Sequence, residues 1–219
     1  MANYHPTPEM LTDFSAGNLQ LGHALCVSAH VEHCDECKTN LQRLNSIATN
    51  LFDGLEPASL PDTLKNAVFS KLDDEHIEEP VREKTVSSHI PRALQQFISE
   101  SYETLSWKKV SSMIQQAHLS TDVSGSKVSL MRIQAGGKVP MHTHSGEEYT
   151  LLLEGSFSDE SGLYNVGDFL VRDERHKHRP VVTKDRECIC LTVTDAPVTL
   201  TGFFTRWFNP LLRRGHFSH

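Results

Sequence analysis

The sequence lacks long apolar runs. Within its 219 residues, no stretch reaches the roughly 18 apolar residues that a membrane-spanning helix needs. The first ten residues, MANYHPTPEM, contain neither the basic start nor the apolar segment of a secretory signal peptide. We therefore expect a cytoplasmic protein that does not bind membranes.

Cysteine is also scarce, and the five cysteines are an odd number. In a reducing compartment this count favours metal binding or redox chemistry over structural disulfides. Hydrophobic residues make up 38% of the chain and charged residues 22%. That balance allows a packed core and excludes a chain that is disordered throughout.

Basic residues are few in the first part of the chain. Residues 1–85 contain 6 Lys and Arg against 14 Asp and Glu, a net charge of −8, whereas residues 86–219 carry +1. Phosphate groups would repel such an acidic region, which argues against direct nucleic-acid binding. A basic protein partner, such as one that itself binds DNA, fits this charge better.

The first 72 residues show helical periodicity. Thr7 is a candidate N-cap, Pro8 suits the first helical position, and Gly17 is a stop signal. Apolar residues then recur at spacings of three and four. The pattern predicts four helices, within residues 7–17, 18–33, 35–52 and 60–72.

The pattern changes after a charged linker at residues 73–90, which contains Pro80 and has no apolar period. A short helix is expected over residues 91–105, and residues 203–214 are a candidate for another. Short strands bounded by turn residues are predicted between them, as in a β-sandwich or small barrel. These strands fall within residues 127–137, 148–159, 162–171, 178–183 and 187–202. We assign a helical domain (1–85), a linker with a short helix (86–105), a β-barrel domain (106–205) and a C-terminal tail (206–219).

The first candidate metal site is the pattern His30-x3-Cys34-x2-Cys37 at the junction of the second and third helices. Zinc usually takes four thiolate or imidazole ligands, so one more is needed. We choose His5, just before the first helix, with His23 and His33 as alternatives. The competing interpretations are a redox Cys-x-x-Cys pair or two incidental cysteines, although the surrounding βαβ pattern of thioredoxin-like proteins is missing. Cys26 is expected to be an ordinary core cysteine.

This helical part resembles the zinc-containing anti-sigma domain. That family shows a His-x3-Cys-x2-Cys signature with an additional upstream histidine, and the matching positions are His30, Cys34, Cys37 and His5. The resemblance implies a structural Zn²⁺ and a partner, an extracytoplasmic-function sigma factor held inactive. The apolar residues within 10–17 and 60–72 are candidates for that contact, although each could instead belong to the internal core.

The second candidate metal site lies in the β-rich part. His142 and His144 alternate along a predicted strand and so point to one face. Glu148 follows them, and His178 comes from a later strand. Glu147 competes with Glu148, and His176 competes with His178. Three imidazoles and a carboxylate suit Zn, Fe, Mn, Ni or Cu, and a surface histidine cluster without metal is the alternative.

The segments GGKVPMHTHSGEEYTLLLEG and GDFLVRDERHKHRP resemble the two motifs of the cupin superfamily. Asp173 and His176 depart from the second motif, and the His-x-Pro context favours His178. The resemblance implies a double-stranded β-helix, or jelly-roll barrel, with a second divalent ion, taken to be Zn²⁺. A helical zinc anti-sigma domain followed by a cupin is the arrangement of the ChrR family. That likeness implies a transcriptional regulator that responds to singlet oxygen or organic peroxide, with the helical domain inhibiting the sigma factor and the cupin needed for release.

An enzyme is the rival hypothesis, because some cupin dioxygenases and isomerases share such ligands. Arg132 and Tyr149 are possible pocket residues, but no clear acid or base stands out, and a stand-alone enzyme has no use for the acidic helical part. We therefore predict a regulator and not an enzyme. Cys188 and Cys190 lie two apart on a predicted strand and face the same way. They are either oxidisable thiols on the inner face of the barrel or simple core residues.

Overall fold

The computed structural model describes residues 2–72, 89–202, 207 and 209–210. Most of the predicted linker and of the C-terminal tail, together with nearly all of the candidate helix at 203–214, lies outside the described residues. Four α-helices form where the apolar period predicted them. They are α1 (Pro8–Ser15), α2 (Leu21–His33), α3 (Asp35–Asp53) and α4 (Asp62–Leu72).

Local signals at both ends define α1. The Thr7 side chain accepts a hydrogen bond from the backbone N–H of Met10, as an N-cap residue does, and Pro8 occupies the first helical position. The chain leaves the helix at Gly17, whose φ of +72° is costly for any residue with a Cβ. The predicted start and stop of this helix are therefore confirmed.

The later helices contribute little to the core. On the predicted apolar stripe of α3, Cys37 is buried, Leu41 and Leu44 are half-buried, and Ala48 and Leu51 are exposed. No residue of α4 is buried. The amphipathic pattern of these helices therefore leaves an apolar surface facing solvent.

The structure differs from the predicted short helix over residues 91–105. Two 3-10 turns occur there, Arg92–Leu94 and Tyr102–Thr104. Leu94 and Ile98 are fully buried at a spacing of four residues, as on one face of a helix. The carboxylate of Glu32 at the end of α2 accepts hydrogen bonds from the N–H groups of Arg92 and Ala93, and this tether ties the start of the segment to α2.

The β-rich part consists of antiparallel strands arranged in three sheets. The largest has the strand order β1-β2-β3-β10-β5-β8, a second pairs β11 with β4, and the third has the order β7-β6-β9. The strands are β1 (Lys108–Lys109), β2 (Ile114–Thr121), β3 (Lys127–Ile133), β4 (His142–Thr143), β5 (Glu148–Glu154), β6 (Ser156–Asp159), β7 (Gly162–Asn165), β8 (Phe169–Arg172), β9 (Val181–Val182), β10 (Cys188–Thr194) and β11 (Thr199–Leu200).

One long strand, β2, was not predicted. Its sequence, IQQAHLST, is mostly polar, and only Ile114 and Ala117 are buried. A bulge between His118 and Ser120 further interrupts its alternation. Such a strand is specified by its pairing with β3 and not by its own apolar pattern.

The six-stranded sheet has a buried core on each face. Its inner face packs residues such as Leu152 and Leu170 against Phe157, Tyr164 and Val182 of the smaller sheets. Its outer face packs against α2 and the segment from Ile90 to Tyr102, in a single cluster that also contains Cys34 and Cys37. The helices and the barrel therefore share one hydrophobic core, which the sequence did not indicate.

The approach of α2 to the sheet is close. A Cβ added at Gly22 would lie 2.9 Å from methyl groups of both Val128 and Val193. Glycine is thus required at this crossing for steric reasons. Among the described residues, no helix is long and apolar enough to cross a membrane.

Candidate metal centres

Four side chains predicted to bind the first ion meet at the junction of α2 and α3. His30 Nε2 lies 3.3 Å from Cys37 Sγ, and His5 Nδ1 lies 3.3 Å from Cys34 Sγ and 3.5 Å from Cys37 Sγ. Zinc bonds of about 2.0–2.3 Å separate the ligand atoms of a tetrahedron by about 3.3–3.8 Å. The spacing therefore suits a tetrahedral ion. We call His5, His30, Cys34 and Cys37 the N-terminal cluster.

Each ligand candidate is placed by its own element. His30 lies in the last turn of α2, and Cys34 is the N-cap of α3, where its Sγ accepts the N–H of Cys37. His5 reaches the junction from the extended segment before α1. The positive end of the α3 dipole favours thiolates at this point.

The electrostatics of the N-terminal cluster fit a bound cation. Burial lowers the pKa of His30 to about 4, so its imidazole is neutral, as a ligand must be. Burial, together with the neighbouring Cys34, raises the pKa of Cys37 to about 12. A thiolate here requires a compensating positive charge, which a divalent ion would supply.

The ring of His30 is oriented by the barrel. Its Nδ1 lies 2.8 Å from the backbone carbonyl of Gly167, so Nδ1 carries the proton and Nε2 faces the cluster. Of the two alternative ligands, His23 stacks edge-on against Tyr149 at 4.4 Å between ring centroids. His33 is exposed and does not belong to the cluster of four.

Three histidines predicted for the second site also converge. His178 Nε2 lies 3.0 Å from His142 Nε2 and 3.2 Å from His144 Nε2. All three side chains are buried. His142 and His178 face each other through an antiparallel bridge, which brings the two predicted motifs together. We call His142, His144 and His178 the barrel cluster.

The outward ring nitrogens of the barrel cluster face acceptors. His142 Nδ1 lies 2.8 Å from the Pro140 carbonyl, and His178 Nδ1 lies 3.0 Å from a carboxylate oxygen of Asp159. Carbonyls and carboxylates only accept, so both Nδ1 atoms carry protons and both Nε2 lone pairs point inward. Burial lowers the pKa of His144 to about 4. Converging lone pairs on neutral imidazoles repel one another unless a cation lies between them, so these residues fit a divalent ion.

Glu148 lies beside the barrel cluster and is not gathered with the three Nε2 atoms. Its Oε2 is 3.4 Å from His144 Nδ1, and its Oε1 accepts a hydrogen bond from Thr150. Its predicted role as a ligand stays a prediction. The competitor Glu147 points elsewhere and accepts the hydroxyl of Tyr149.

His176, the competitor of His178, lies apart from the cluster. Its Nδ1 is 2.8 Å from the carboxylate of Asp173, and its side chain is 40% exposed.

Asp159 supports the barrel cluster and was not recognised in the sequence. Its carboxylate is fully buried and accepts hydrogen bonds from His178 Nδ1, at 3.0 Å, and from the Tyr164 hydroxyl, at 2.9 Å. Burial would raise the pKa of Asp159, but these hydrogen bonds and that from the Ser161 N–H lower it overall. An acidic residue at the end of a short strand gives no recognisable signal, because only the fold brings it to His178.

The paired cysteines lie on the inner face of the barrel. Cys188 and Cys190 belong to the inner core, and their sulfurs are 3.5 Å apart. The shared hydrogen bond with Cys188 and burial raise the pKa of Cys190, which keeps this thiol neutral. The two residues considered for an enzyme pocket are on the other side of the sheet. Arg132 binds Glu103 and lies over the Trp107 ring, and Tyr149 packs against His23.

Comparisons with known proteins bear on the order of a helical part followed by a β-rich part. The family described as the ChrR cupin-like domain matches residues 95–197. The chain is 30% identical over 211 residues to the anti-sigma-E factor ChrR of Cereibacter sphaeroides, covering 96% of this chain and 98% of the relative. It also matches the crystal structure of Rhodobacter sphaeroides SigE in complex with the anti-sigma ChrR, with a TM-score of 0.77 and 28% identity over 89% of this chain and 99% of that one.

A more distant similarity is to a putative acetylacetone dioxygenase from Methylibium petroleiphilum. That match has a TM-score of 0.41 and 16% identity, and it covers 48% of this chain and 83% of the other. A similarity this low carries no functional argument. The predicted fold class, helices followed by a cupin, is confirmed by the family match and by the full-length structural match.

Proposed function

We propose that this chain, which belongs to the ChrR family of anti-sigma factors, binds and inhibits an extracytoplasmic-function sigma factor. The observation that carries the proposal is similarity along the whole chain to a relative of that function, helices and cupin together. The acidic charge of residues 1–85 suits a DNA-binding partner with basic surfaces. Since the proposed partner acts with RNA polymerase, we expect the protein to act in the cytoplasm.

An exposed apolar surface supports the proposed contact. The second half of α3, the following loop and α4 expose large apolar side chains to solvent, and we call this set the α3–α4 face. Such a patch marks an interaction surface in soluble proteins. Its members are Ile47, Leu51, Phe52, Leu55, Leu60, Leu64, Val68, Phe69 and Leu72.

Of the two segments considered for sigma contact, residues 60–72 carry the larger exposed surface. Leu11 of the other segment is buried, and Met10 and Phe14 are half-buried against the shared core. A sigma factor docks on RNA polymerase through two separate surfaces, so a helix wedged between its domains would hide both. An exposed, amphipathic α4 is suited to that wedge.

The metals are assigned by donor chemistry. The N-terminal cluster, with two thiols and two imidazoles, would hold Zn²⁺ in a closed structural site. The barrel cluster would hold a second divalent ion through His142, His144 and His178, with Glu148 as a further candidate ligand. Zinc is our first choice there, although imidazole ligands also suit iron, manganese, nickel and copper.

Release of the sigma factor is assigned to the barrel. Singlet oxygen and organic peroxides attack histidine and cysteine side chains, and both are concentrated on the inner face of the barrel. Modification of a ligand or of the Cys188–Cys190 pair would alter the barrel cluster. A change there would reach the helices through the six-stranded sheet, whose inner face lines the barrel and whose outer face packs against α2.

The α3–α4 face provides the test. We expect the full chain to bind a purified extracytoplasmic-function sigma factor from the same organism. The triple substitution Leu64→Ser, Val68→Ser and Phe69→Ser should weaken binding at least about 30-fold, or about 2 kcal/mol, as for loss of interface hot spots. Calorimetric titration with the purified proteins measures this directly.

The matched control is Asn66→Ser, a polar exposed position on the same helix. It should bind as tightly as wild type. A triple variant that also binds as tightly would show that the α3–α4 face is not the contact. A wild-type chain that binds none of the sigma factors of this group would overturn the proposed function itself.

A further inference from the structure

One short segment of the barrel contacts the N-terminal cluster on one side and, on the other, Asp159, the carboxylate that lies behind His178 of the barrel cluster. Residues 164–168 comprise the last two residues of β7 and the connection to β8, and they lie between Asp159 and the N-terminal cluster. Tyr164 and Asp168 are both fully buried. The contacts on the two sides of this segment form a continuous path between the proposed metal centres.

The path begins at the barrel cluster. His178 Nδ1 lies 3.0 Å from the Asp159 carboxylate, and the other oxygen of that carboxylate accepts the Tyr164 hydroxyl at 2.9 Å. Arg172 donates to the Tyr164 oxygen at 2.7 Å, and the same nitrogen lies 3.5 Å from the Asp159 oxygen that faces His178. The imidazole that faces the ion is therefore oriented by a carboxylate that Tyr164 helps to position.

The path continues from Tyr164 to the N-terminal cluster. The Tyr164 ring meets the ring of Tyr4 edge-on, with 4.9 Å between centroids. Tyr4 directly precedes His5, a candidate zinc ligand. The Asp168 carboxylate fixes the same segment, since one oxygen accepts the N–H groups of Asn3 and Tyr4 and the other accepts the N–H of Asn165.

A second connection reaches the other histidine of the N-terminal cluster. The Gly167 carbonyl lies 2.8 Å from His30 Nδ1 and sets the direction of that ring. The Phe169 N–H donates to the Tyr4 carbonyl at 3.0 Å. The His30 ring and the backbone next to His5 are thus held by this segment and by Phe169, and Tyr164 of the same segment also donates to Asp159.

We propose that Asp159 and Tyr164 are positioning residues that couple the two clusters, so that loss of the barrel ion accelerates loss of the N-terminal ion. The inference deepens the proposed function, since it rests on both clusters binding metal, and it names the route by which damage in the barrel reaches the helices. When His178 loses its ion, its imidazole no longer has a fixed direction, and Asp159 loses a fixed donor. Buried carboxylates must keep their hydrogen bonds, so Asp159 and Tyr164 shift together and Tyr4 follows.

Cobalt(II) offers a readout of the N-terminal cluster alone. Thiolate-to-cobalt charge-transfer absorption requires sulfur ligands, and the barrel cluster consists of histidines. We would load the full chain with cobalt(II), add excess EDTA, and follow the decay of this absorption. Four proteins form a cycle: wild type, His144→Gln, Tyr164→Phe, and the double variant.

His144→Gln removes a barrel ligand without touching Asp159 or Tyr164. It should speed decay of the N-terminal absorption at least about fivefold, the lower end of typical site-to-site coupling. In the Tyr164→Phe background the same substitution should change the rate by less than about twofold. If Tyr164 had a purely structural role, Tyr164→Phe would change the decay rates of both proteins by the same factor. His144→Gln would then still speed the decay fivefold in that background.

Two further variants test whether the effect is specific to this path. Tyr102→Phe is the matched control, because Tyr102 is another buried tyrosine whose hydroxyl has no hydrogen-bond partner among the described residues. In the Tyr102→Phe background, His144→Gln should still speed the decay about fivefold. Tyr4→Leu removes the ring contact and leaves the backbone hydrogen bonds of residue 4 in place, and combined with His144→Gln it should abolish the ratio as Tyr164→Phe does.

The outcomes separate the coupling from the proposed function. Charge-transfer absorption that decays equally fast in wild type and His144→Gln would overturn the coupling and leave both metal sites standing. A fivefold ratio that survives in Tyr164→Phe and in Tyr4→Leu would overturn the route through these residues. Wild-type protein without the absorption would overturn the N-terminal metal site, and the coupling with it.

Discussion

The helical and barrel parts of the molecule are stabilised in different ways. The barrel has an inner core of its own, formed between its sheets by residues such as Leu152, Phe157 and Tyr164. The helices have no comparable core: α4 buries nothing, α3 buries only Cys37, and most buried residues of α2 face the six-stranded sheet.

This difference assigns different roles to the two candidate ions. Small domains with little buried apolar area require a metal or another cross-link. The N-terminal cluster is therefore expected to stabilise the fold of the helices, together with the sheet on which α2 packs. The barrel cluster sits in a structure that is already packed, so its ion is free to serve as a sensor.

The largest effect is expected from Cys34→Ser. Serine is a good N-cap residue, so the start of α3 keeps its cap and only the metal ligand is lost. The N-terminal ion should be lost and the helices should unfold, since apparent zinc-binding energies of about 10–16 kcal/mol match or exceed the stability of a whole domain. Elemental analysis and circular dichroism measure the two effects.

The control for this variant is Cys26→Ala, a buried cysteine on α2 outside the cluster. It should keep the ion and lose about 1 kcal/mol of stability, in the usual range for a small core change. A Cys34→Ser protein with the helical content of wild type would show that the helices, like the barrel, fold without their ion.

The second-largest effect is expected at the contact between α2 and the six-stranded sheet of the barrel. Gly22→Ala places a methyl group 2.9 Å from Val128 and Val193, whose branched side chains cannot easily move. Overpacking of this kind should lower the free energy of unfolding by about 1–3 kcal/mol, as measured by urea titration. Gly54→Ala, at an exposed position where the nearest atom is 3.5 Å away, is the control and should be close to neutral. Equal stabilities for the two variants would show that α2 does not depend on the sheet.

A smaller effect on stability is expected from His144→Gln. This variant should lose the barrel ion, keep the N-terminal ion at equilibrium and bind the sigma factor more weakly than wild type, as release through the barrel requires. Its free energy of unfolding should change by about 2 kcal/mol or less, because the inner core holds the barrel. Metal analysis and calorimetric titration with the sigma factor check both points. Unfolding of the barrel in this variant would mean that its ion, like the first, is structural.

The smallest effect on the resting protein is expected from the double substitution Cys188→Ala and Cys190→Ala. Sigma-factor affinity should stay within about twofold of wild type, since neither thiol reaches the helices. Release under singlet oxygen or organic peroxide should be slower if these thiols take part in sensing. A reporter gene transcribed with the sigma factor measures the rate. Release at the normal rate would exclude the thiols and leave the ligand histidines as the sensor.

Much of the architecture was readable from local patterns. Thr7, Pro8 and Gly17 marked the bounds of α1, and the spacing of His30, Cys34 and Cys37 indicated a shared site because a helix corner fixes their relative positions. His142 and His178 were matched through two motifs. The strand β2 was missed because its residues are mostly polar. The short helix expected after the linker is replaced by two 3-10 turns, and Leu94 and Ile98 are buried four residues apart without an α-helix.

The sequence by itself determined which residue types could form each cluster, since ligand spacing depends on local helix and strand geometry. Only the tertiary structure decided that Asp159 and Tyr164 stand behind His178 and that Gly167 orients His30. These contacts join residues far apart in the chain, up to 137 positions for His30 and Gly167. No local period encodes them, because they arise only when α2 and the N-terminal segment pack against the barrel.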